Sequence, residues 1–276
     1  WLERTDHTRE VTGSNPVSPS YLHKKSFGMP VEFPFCDLLG LFFTMYIPLT
    51  RIQKLIGERM LKSKQSKPCF YIGLKADVTE LMTLRPVLRK SLGVKITTNA
   101  FYIRALALAA GKFPLMLGGY PPYHKGRSGI TGDSIRIADR INVGFAVNAP
   151  QGLVVPVMKA ANKKTLAEIA RLEATLTEKA RDNKLMLEEM EGETIALSNL
   201  GAYGIDSFVG IVPPPASTIL AVGNVVRGLV ADNDKTVVRK MVSLTLAVDS
   251  RVINVTYAAE FLDSIREQLQ DPQKLV

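Results

Sequence analysis

The chain has little of what builds stapled or metal-held folds. Its 276 residues include two cysteines, Cys36 and Cys69, and three histidines, His7, His23 and His124. Two thiols make no disulfide framework and neither stands at a metal-ligand spacing, which argues against disulfide scaffolds and zinc modules alike. Sparse cysteine fits a reducing compartment, so a cytoplasmic location is expected. The apolar stretch "LLGLFFTMYIPL" ends at Leu49 after twelve residues. A bilayer helix needs about 20, and no small-residue cleavage pattern follows. It reads as a packing arm, and no membrane partner is expected. Clustered charge of one sign is missing too. The formal net charge is +9, but the cations lie along helices beside carboxylates, as in "RLEATLTEKARDNK" (Arg171 to Lys184). Nucleic-acid recognition needs a concentrated basic patch with interleaved aromatics, so this charge reads as a solvated surface.

What is present suffices for a folded core. Hydrophobic residues make up 46% and charged residues 22%, enough for one large domain or two small ones. Residues 1–45 stand apart. The sequence opens on Trp1, which leaves open a fragment, a processed product or an over-extended reading frame. "VTGSNPVSPS" (Val11 to Ser20) is turn-rich and without hydrophobic period. Its Gly-Ser-Asn-Pro string can be encoded by GGTTCGAATCC, similar to the T-arm of a transfer RNA gene. The expectation is translated non-coding sequence, with synthesis starting at Met29 or Met45.

From residue 46 to 276 the pattern is that of one mixed α/β domain. Thr50 and Gln53 have capping-box spacing, and Ile52, Leu55, Ile56 and Met60 follow at helical intervals. "FYIGLKADV" alternates as a half-buried strand, and Asp77 with Glu80 is placed to cap the next helix, which Pro86 should kink or restart. "NAFYIRALALAAGKF" (Asn99 to Phe113) is apolar nearly all round and predicts a buried helix. After a Gly- and Pro-rich loop come two short strands, "INVGFAV" and "GLVVPVM". A helix capped by Thr165 and Glu168 then buries Leu166, Ile169, Leu172 and Leu176. "ETIALSNLG", "STILAVGNVV" and "VVRKMVSLTLAV" predict further strands, and a helix closes the chain from about Tyr257 to Gln270. The run Pro213 to Pro215 stiffens a loop and carries no assigned chemistry.

One strand ends on Asp249-Ser250-Arg251, with Asn254 just beyond, a combination that suits an ion pair, a turn or an active site. The segments "PLTRIQKLIGERM", "INVGFAV…GLVVPV", "LSNLGAYGIDSF", "TILAVG" and "DSRVINV" together resemble the catalytic core of the dihydrolipoyl acyltransferase component of 2-oxo acid dehydrogenase complexes. The resemblance runs from Ile47 to Val276. It implies a chloramphenicol acetyltransferase-like α/β fold, a mixed sheet with packed helices. It also implies trimers with active sites between subunits, built further into hollow cubic or dodecahedral cores.

The family motif D-H-R-x-x-[DN]-G places a histidine as the base that deprotonates a thiol of coenzyme A or dihydrolipoamide. Here Asp249, Arg251 and Asn254 match that motif, and Ser198 matches the serine that hydrogen-bonds the oxyanion. Ser250 stands in place of the histidine and Val255 in place of the glycine. A serine hydroxyl has no imidazole-like accepting nitrogen, and losing a general base typically costs about 10²–10⁴ in rate. Glycine permits φ > 0 where valine does not, so a local shift at Val255 is expected. The dihydrolipoamide dehydrogenase-binding protein of eukaryotic pyruvate dehydrogenase complexes carries the same D-S-R and serves assembly.

The resemblance therefore implies a weakened or non-catalytic core subunit. The alternative is an active acyltransferase whose base is replaced by water, another residue or a partner's histidine. His124, a lone loop histidine, reads as a surface residue. An antibiotic acetyltransferase needs the same histidine and is disfavoured. Coenzyme A is the implied cofactor, which a basic surface suits, with the lipoyl group supplied by another chain and no metal. The implied partners are further copies in a trimer or larger core, an active acyltransferase paralogue, and lipoyl domains.

Overall fold

A computed structural model describes residues 46–120, 134–150, 152–233 and 235–276. Residues 1–45, with Cys36, Met29 and Met45, and the loop carrying His124 lie outside them. In chain order the described elements begin with α1 (Arg51–Ser66), β1 (Cys69–Asp77), α2 (Thr79–Leu92) and α3 (Thr98–Lys112). Short strands follow: β2 (Gly118–Gly119), β3 (Arg136–Ile137), β4 (Val143–Phe145), β5 (Val147–Ala149), β6 (Gly152–Val154) and β7 (Val157–Met158). Then come α4 (Leu166–Arg181), β8 (Ile195–Asn199), β9 (Thr218–Asp232), β10 (Lys235–Asp249) and α5 (Val255–Gln270).

The main sheet is mixed, in the order β1-β10-β9-β8-β4-β7. β9 and β10 form a long antiparallel hairpin, β1 is antiparallel to β10, and β8 is parallel to both β9 and β4. Helices α2, α3 and α5 pack against this sheet and one another, and the core runs through Phe101, Leu106, Phe145, Leu246 and Phe261, all essentially buried. Each such side chain contributes roughly 1.5–3 kcal/mol of burial. Phe113 adds edge-on contacts to Tyr257 and Phe261, with ring centroids 5.3 and 5.7 Å apart. The opposite face of the sheet, at Ala196, Ile219 and Ala247, is covered by Val212. The fold class is the one expected: α/β, a mixed sheet with packed helices.

Several local readings hold. Thr50 and Thr165 each close a full capping box, with Gln53 and Glu168 respectively. α4 buries Leu166, Ile169 and Leu176 as expected. Others need correction. α2 runs through Pro86 in one helix rather than restarting, since the surrounding turns and the packing of Leu81 and Leu88 hold it. Asp77 accepts from the Thr79 amide at 2.8 Å, one residue before the formal cap Val78, and Glu80 takes no part in the cap. "INVGFAV" is broken at Ala146 into β4 and β5, which join different sheets.

The largest correction concerns α1. Its spacing gives one apolar face of Ile52, Leu55, Ile56 and Met60, yet of these Leu55 is 57% exposed while Ile56 and Met60 are half-buried. A polar stripe faces the body. Arg59 donates to the carbonyl of Pro214 at 2.7 Å, Ser63 to that of Val212, and Lys67, at the cap, to that of Ala216. Four-residue spacing puts all three on one side of the helix. Prolines offer carbonyls without N–H donors of their own, and the helix supplies donors to that segment. Arg59 also pairs with Glu193 at 3.2 Å, whose carboxyl is 4% exposed and pushed above its usual range by burial.

Candidate functional site

The Asp249 end of β10 is a turn built around an ion pair. Asp249 is 1% exposed. It receives Arg251 Nε at 2.9 Å and a terminal guanidinium nitrogen at 2.6 Å, the two-pronged geometry that gives arginine–carboxylate pairs their strength. Its backbone carbonyl accepts from the amides of Val252 and Ile253, closing the turn. The Asp249 amide donates to the Ser217 carbonyl, which fastens the turn to the start of β9. The guanidinium also lies over the Tyr120 ring, 4.6 Å from its centroid.

Within that frame Ser250 points its hydroxyl and its amide at one acceptor. Oγ donates to the Pro68 carbonyl at 2.6 Å and N donates to it at 3.0 Å. Asn254 caps α5, its Oδ1 accepting from the Tyr257 amide at 2.9 Å. Val255 is the first residue of that helix and is not among the residues with positive φ. As the first residue of α5, Val255 takes an ordinary helical position that a β-branched side chain accommodates.

Ser198 lies elsewhere. It is half-buried on β8, opposite Ala221 of β9, in the wall of a cavity of about 820 Å³. Asn99, Asn148, Glu173, Arg85 and Tyr203 line the same cavity. The turn after Ser198 presses onto β9: the Leu200 amide donates to the Val222 carbonyl at 3.1 Å. A Cβ on Gly201 would come within 2.6 Å of the Gly223 carbonyl, and one on Gly223 within 1.9 Å of the Asp206 carbonyl. Only glycine permits so close an approach of two backbones.

The chain does not bring its expected site residues together. Asp249 abuts Ser217, whereas Ser198 is level with Ala221, about 14 Å further along β9 at strand rise and two strands across. None of residues 249–254 lines the Ser198 cavity. Sequence reasoning missed Pro68 and Tyr120 as partners of Ser250 and Arg251. It also missed Asn99 and Glu173, whose contacts span 74 residues or more and leave no local signal.

Comparison with known proteins decides the family. Residues 44–276 match the 2-oxoacid dehydrogenases acyltransferase (catalytic domain) family. The chain belongs to this family. Among curated relatives of the acyltransferase domain, the dihydrolipoyllysine-residue acetyltransferase component of the Rickettsia prowazekii pyruvate dehydrogenase complex is 34% identical over 230 residues, 82% of this chain and 54% of the relative. The chain thus spans about half the length of the curated relatives it matches.

Among solved structures, the Azotobacter vinelandii dihydrolipoamide acetyltransferase is 29% identical with a TM-score of 0.79, covering 88% of this chain and 98% of that one. In that enzyme a serine, a histidine and an asparagine were investigated for their roles in catalysis. They are separated by 52 and then 4 residues, the intervals between Ser198, Ser250 and Asn254 here. The cubic core of a pyruvate dehydrogenase multienzyme complex matches at 30% identity and TM-score 0.79, with 88% and 98% coverage. The fold likeness extends to chloramphenicol acetyltransferase, at 12% identity and TM-score 0.50.

Proposed function

We propose that this acyltransferase-family chain is a core subunit of a 2-oxo acid dehydrogenase complex whose transfer step is weakened and whose main role is assembly. One observation carries the reading: Ser250, at the position of the family's base, has its hydroxyl proton on the Pro68 carbonyl. The surrounding turn is intact, with Asp249, Arg251 and Asn254 all engaged.

In the transfer, a thiol of coenzyme A or of a dihydrolipoyl group carried by another chain attacks a thioester carbonyl. A new C–S bond forms, the oxyanion accepts a hydrogen bond from Ser198, and collapse breaks the old C–S bond to release the other thiol. The proton of the attacking thiol needs an acceptor, and a serine hydroxyl is a very poor one near neutral pH. Attack then falls to the thiolate already present, a few per cent at pH 7 for a thiol of pKa about 8.5.

Assembly is supported by the distance between Ser198 and Ser250 within one chain, which a site shared between copies would close. It is supported further by the exposed apolar residues at and before α1: Ile47, Leu49, Leu55 and Leu61. A trimer or larger core, alone or mixed with an active paralogue and served by its lipoyl domains, fits both features. The open cavity beside Ser198 favours a second reading, a working transferase with a substituted base.

The test measures acetyl transfer between acetyl-coenzyme A and dihydrolipoamide for the natural chain and Ser250→His, with the mass in solution from sedimentation. The expected result is slow transfer that rises with pH toward the thiol pKa, and faster transfer at pH 7 in the variant. Fast, pH-flat transfer by the natural chain would establish the second reading. A monomer would overturn the assembly role.

A further inference from the structure

α4 turns an apolar stripe toward the body, Leu166, Ile169, Ala170, Leu176 and Ala180, yet places Glu173 in the middle of it. Glu173 is 8% exposed. A carboxylate so placed is costly unless donors meet it. Both donors come from the start of α3: the Thr97 hydroxyl on Oε2, and Asn99 Nδ2 on Oε1 at 3.1 Å. Burial pushes the carboxyl above its usual range, and the hydrogen bonds from Thr97 and Asn99 act against that shift.

We propose that Glu173 is a positioning residue for Ser198, setting the direction of a hydrogen-bonded relay through Asn99 and Asn199 that holds the turn after Ser198. The direction follows from donor and acceptor inventory alone. Glu173 accepts from both Thr97 and Asn99, so Asn99 presents its NH₂ to Glu173 and its carbonyl the other way. That carbonyl accepts from Asn199 Nδ2 at 3.5 Å, the longest link. Asn199 must then present its own carbonyl to the chain, where Oδ1 accepts from the Gly201 amide at 2.9 Å. One accepting group thus fixes the orientation of two amides and closes the turn beginning at Ser198. Without it, Asn99 can turn and set NH₂ against NH₂, and Asn199 relieves the conflict by withdrawing its carbonyl from Gly201.

The inference rests on the reading of Ser198 as the oxyanion donor, but its test needs no turnover, so the two fail separately. Amide hydrogen exchange is followed by NMR in the natural chain, Glu173→Ala, Glu173→Gln and Asn99→Ala. Exchange at Gly201 should quicken about tenfold in Glu173→Ala and Asn99→Ala, with core amides of β9 and β10 unchanged. Glu173→Gln should stay close to the natural chain, because its carbonyl still accepts from Asn99. Unchanged Gly201 exchange in both alanine variants overturns the relay. So does equal loss in the glutamine and alanine variants, or a loss spread evenly over α3 and α4, which would mean that Glu173 only joins the two helices. Should Glu173→Ala not fold, Asn99→Ala decides, since it leaves Glu173 bonded to Thr97.

Discussion

The two ends of the central sheet carry the expected chemistry in different states. At the Ser198 end a hydroxyl stands in an open cavity, its turn held by neighbours from α3 and β9. At the Asp249 end the scaffold is as well built, but the side chain at the chemical position is tied to a backbone carbonyl. The frame at this end is set by folding contacts: Asp249 and Arg251 close a turn and Asn254 caps a helix, so on the reading proposed above it persists without a basic side chain at Ser250. The first end opens onto a cavity, and the second is a turn whose side chains are engaged with one another and with the backbone.

The sharpest test of that contrast is Ser250→His. If the frame is intact, transfer at pH 7 should rise by about 10²–10⁴, the usual worth of a general base; no gain would mean that the turn itself has drifted. In that variant, adding Ser198→Ala should remove about 10²–10³ of the rate, and an unchanged rate would show that the cavity end is as idle as the other.

Stability effects come next. Arg251→Ala strips the two-pronged guanidinium from buried Asp249, leaving it the residue-251 amide and the nearby Lys67 charge, and should cost about 2–4 kcal/mol in urea unfolding at fixed protein concentration; a negligible loss would mean that the pair does not hold the turn. Smallest is Asn254→Ala, about 1 kcal/mol for a lost helix cap. Asn254→Asp keeps a capping oxygen and exchanges the neutral NH₂ for a charged, acceptor-only oxygen. In the Ser250→His background it should preserve stability, and a fall in turnover would assign the neutral amide a part in the reaction.

Much of the frame was legible in sequence because its determinants are close together. Thr50 with Gln53 and Thr165 with Glu168 are three residues apart, and each closed the capping box that its spacing announces. The question raised by Asp249-Ser250-Arg251 also has a local answer: it is both an ion pair and a turn. What could not be read depends on distant partners. The apolar spacing of α1 says that a face exists but not what it meets, and here Ser63 and Lys67 meet carbonyls 149 residues away. Pro86 signals a kink or a restart by local rules, and α2 continues through it without restarting. Glu173 looked like one more charge on a solvated helix, because nothing in α4 announces Thr97 and Asn99.

The polar stripe on α1 has a practical consequence for anyone trimming this protein. A chain shortened to begin at β1 would keep every strand of the main sheet, yet it would strip donors from the carbonyls of Val212, Pro214 and Ala216 and the counter-charge from Glu193. Pro68, whose carbonyl anchors Ser250, would be removed as well. The smallest portable unit of the fold therefore starts ahead of Arg59, and the helix that looks most detachable is a tether for the turn at the far end of the sequence.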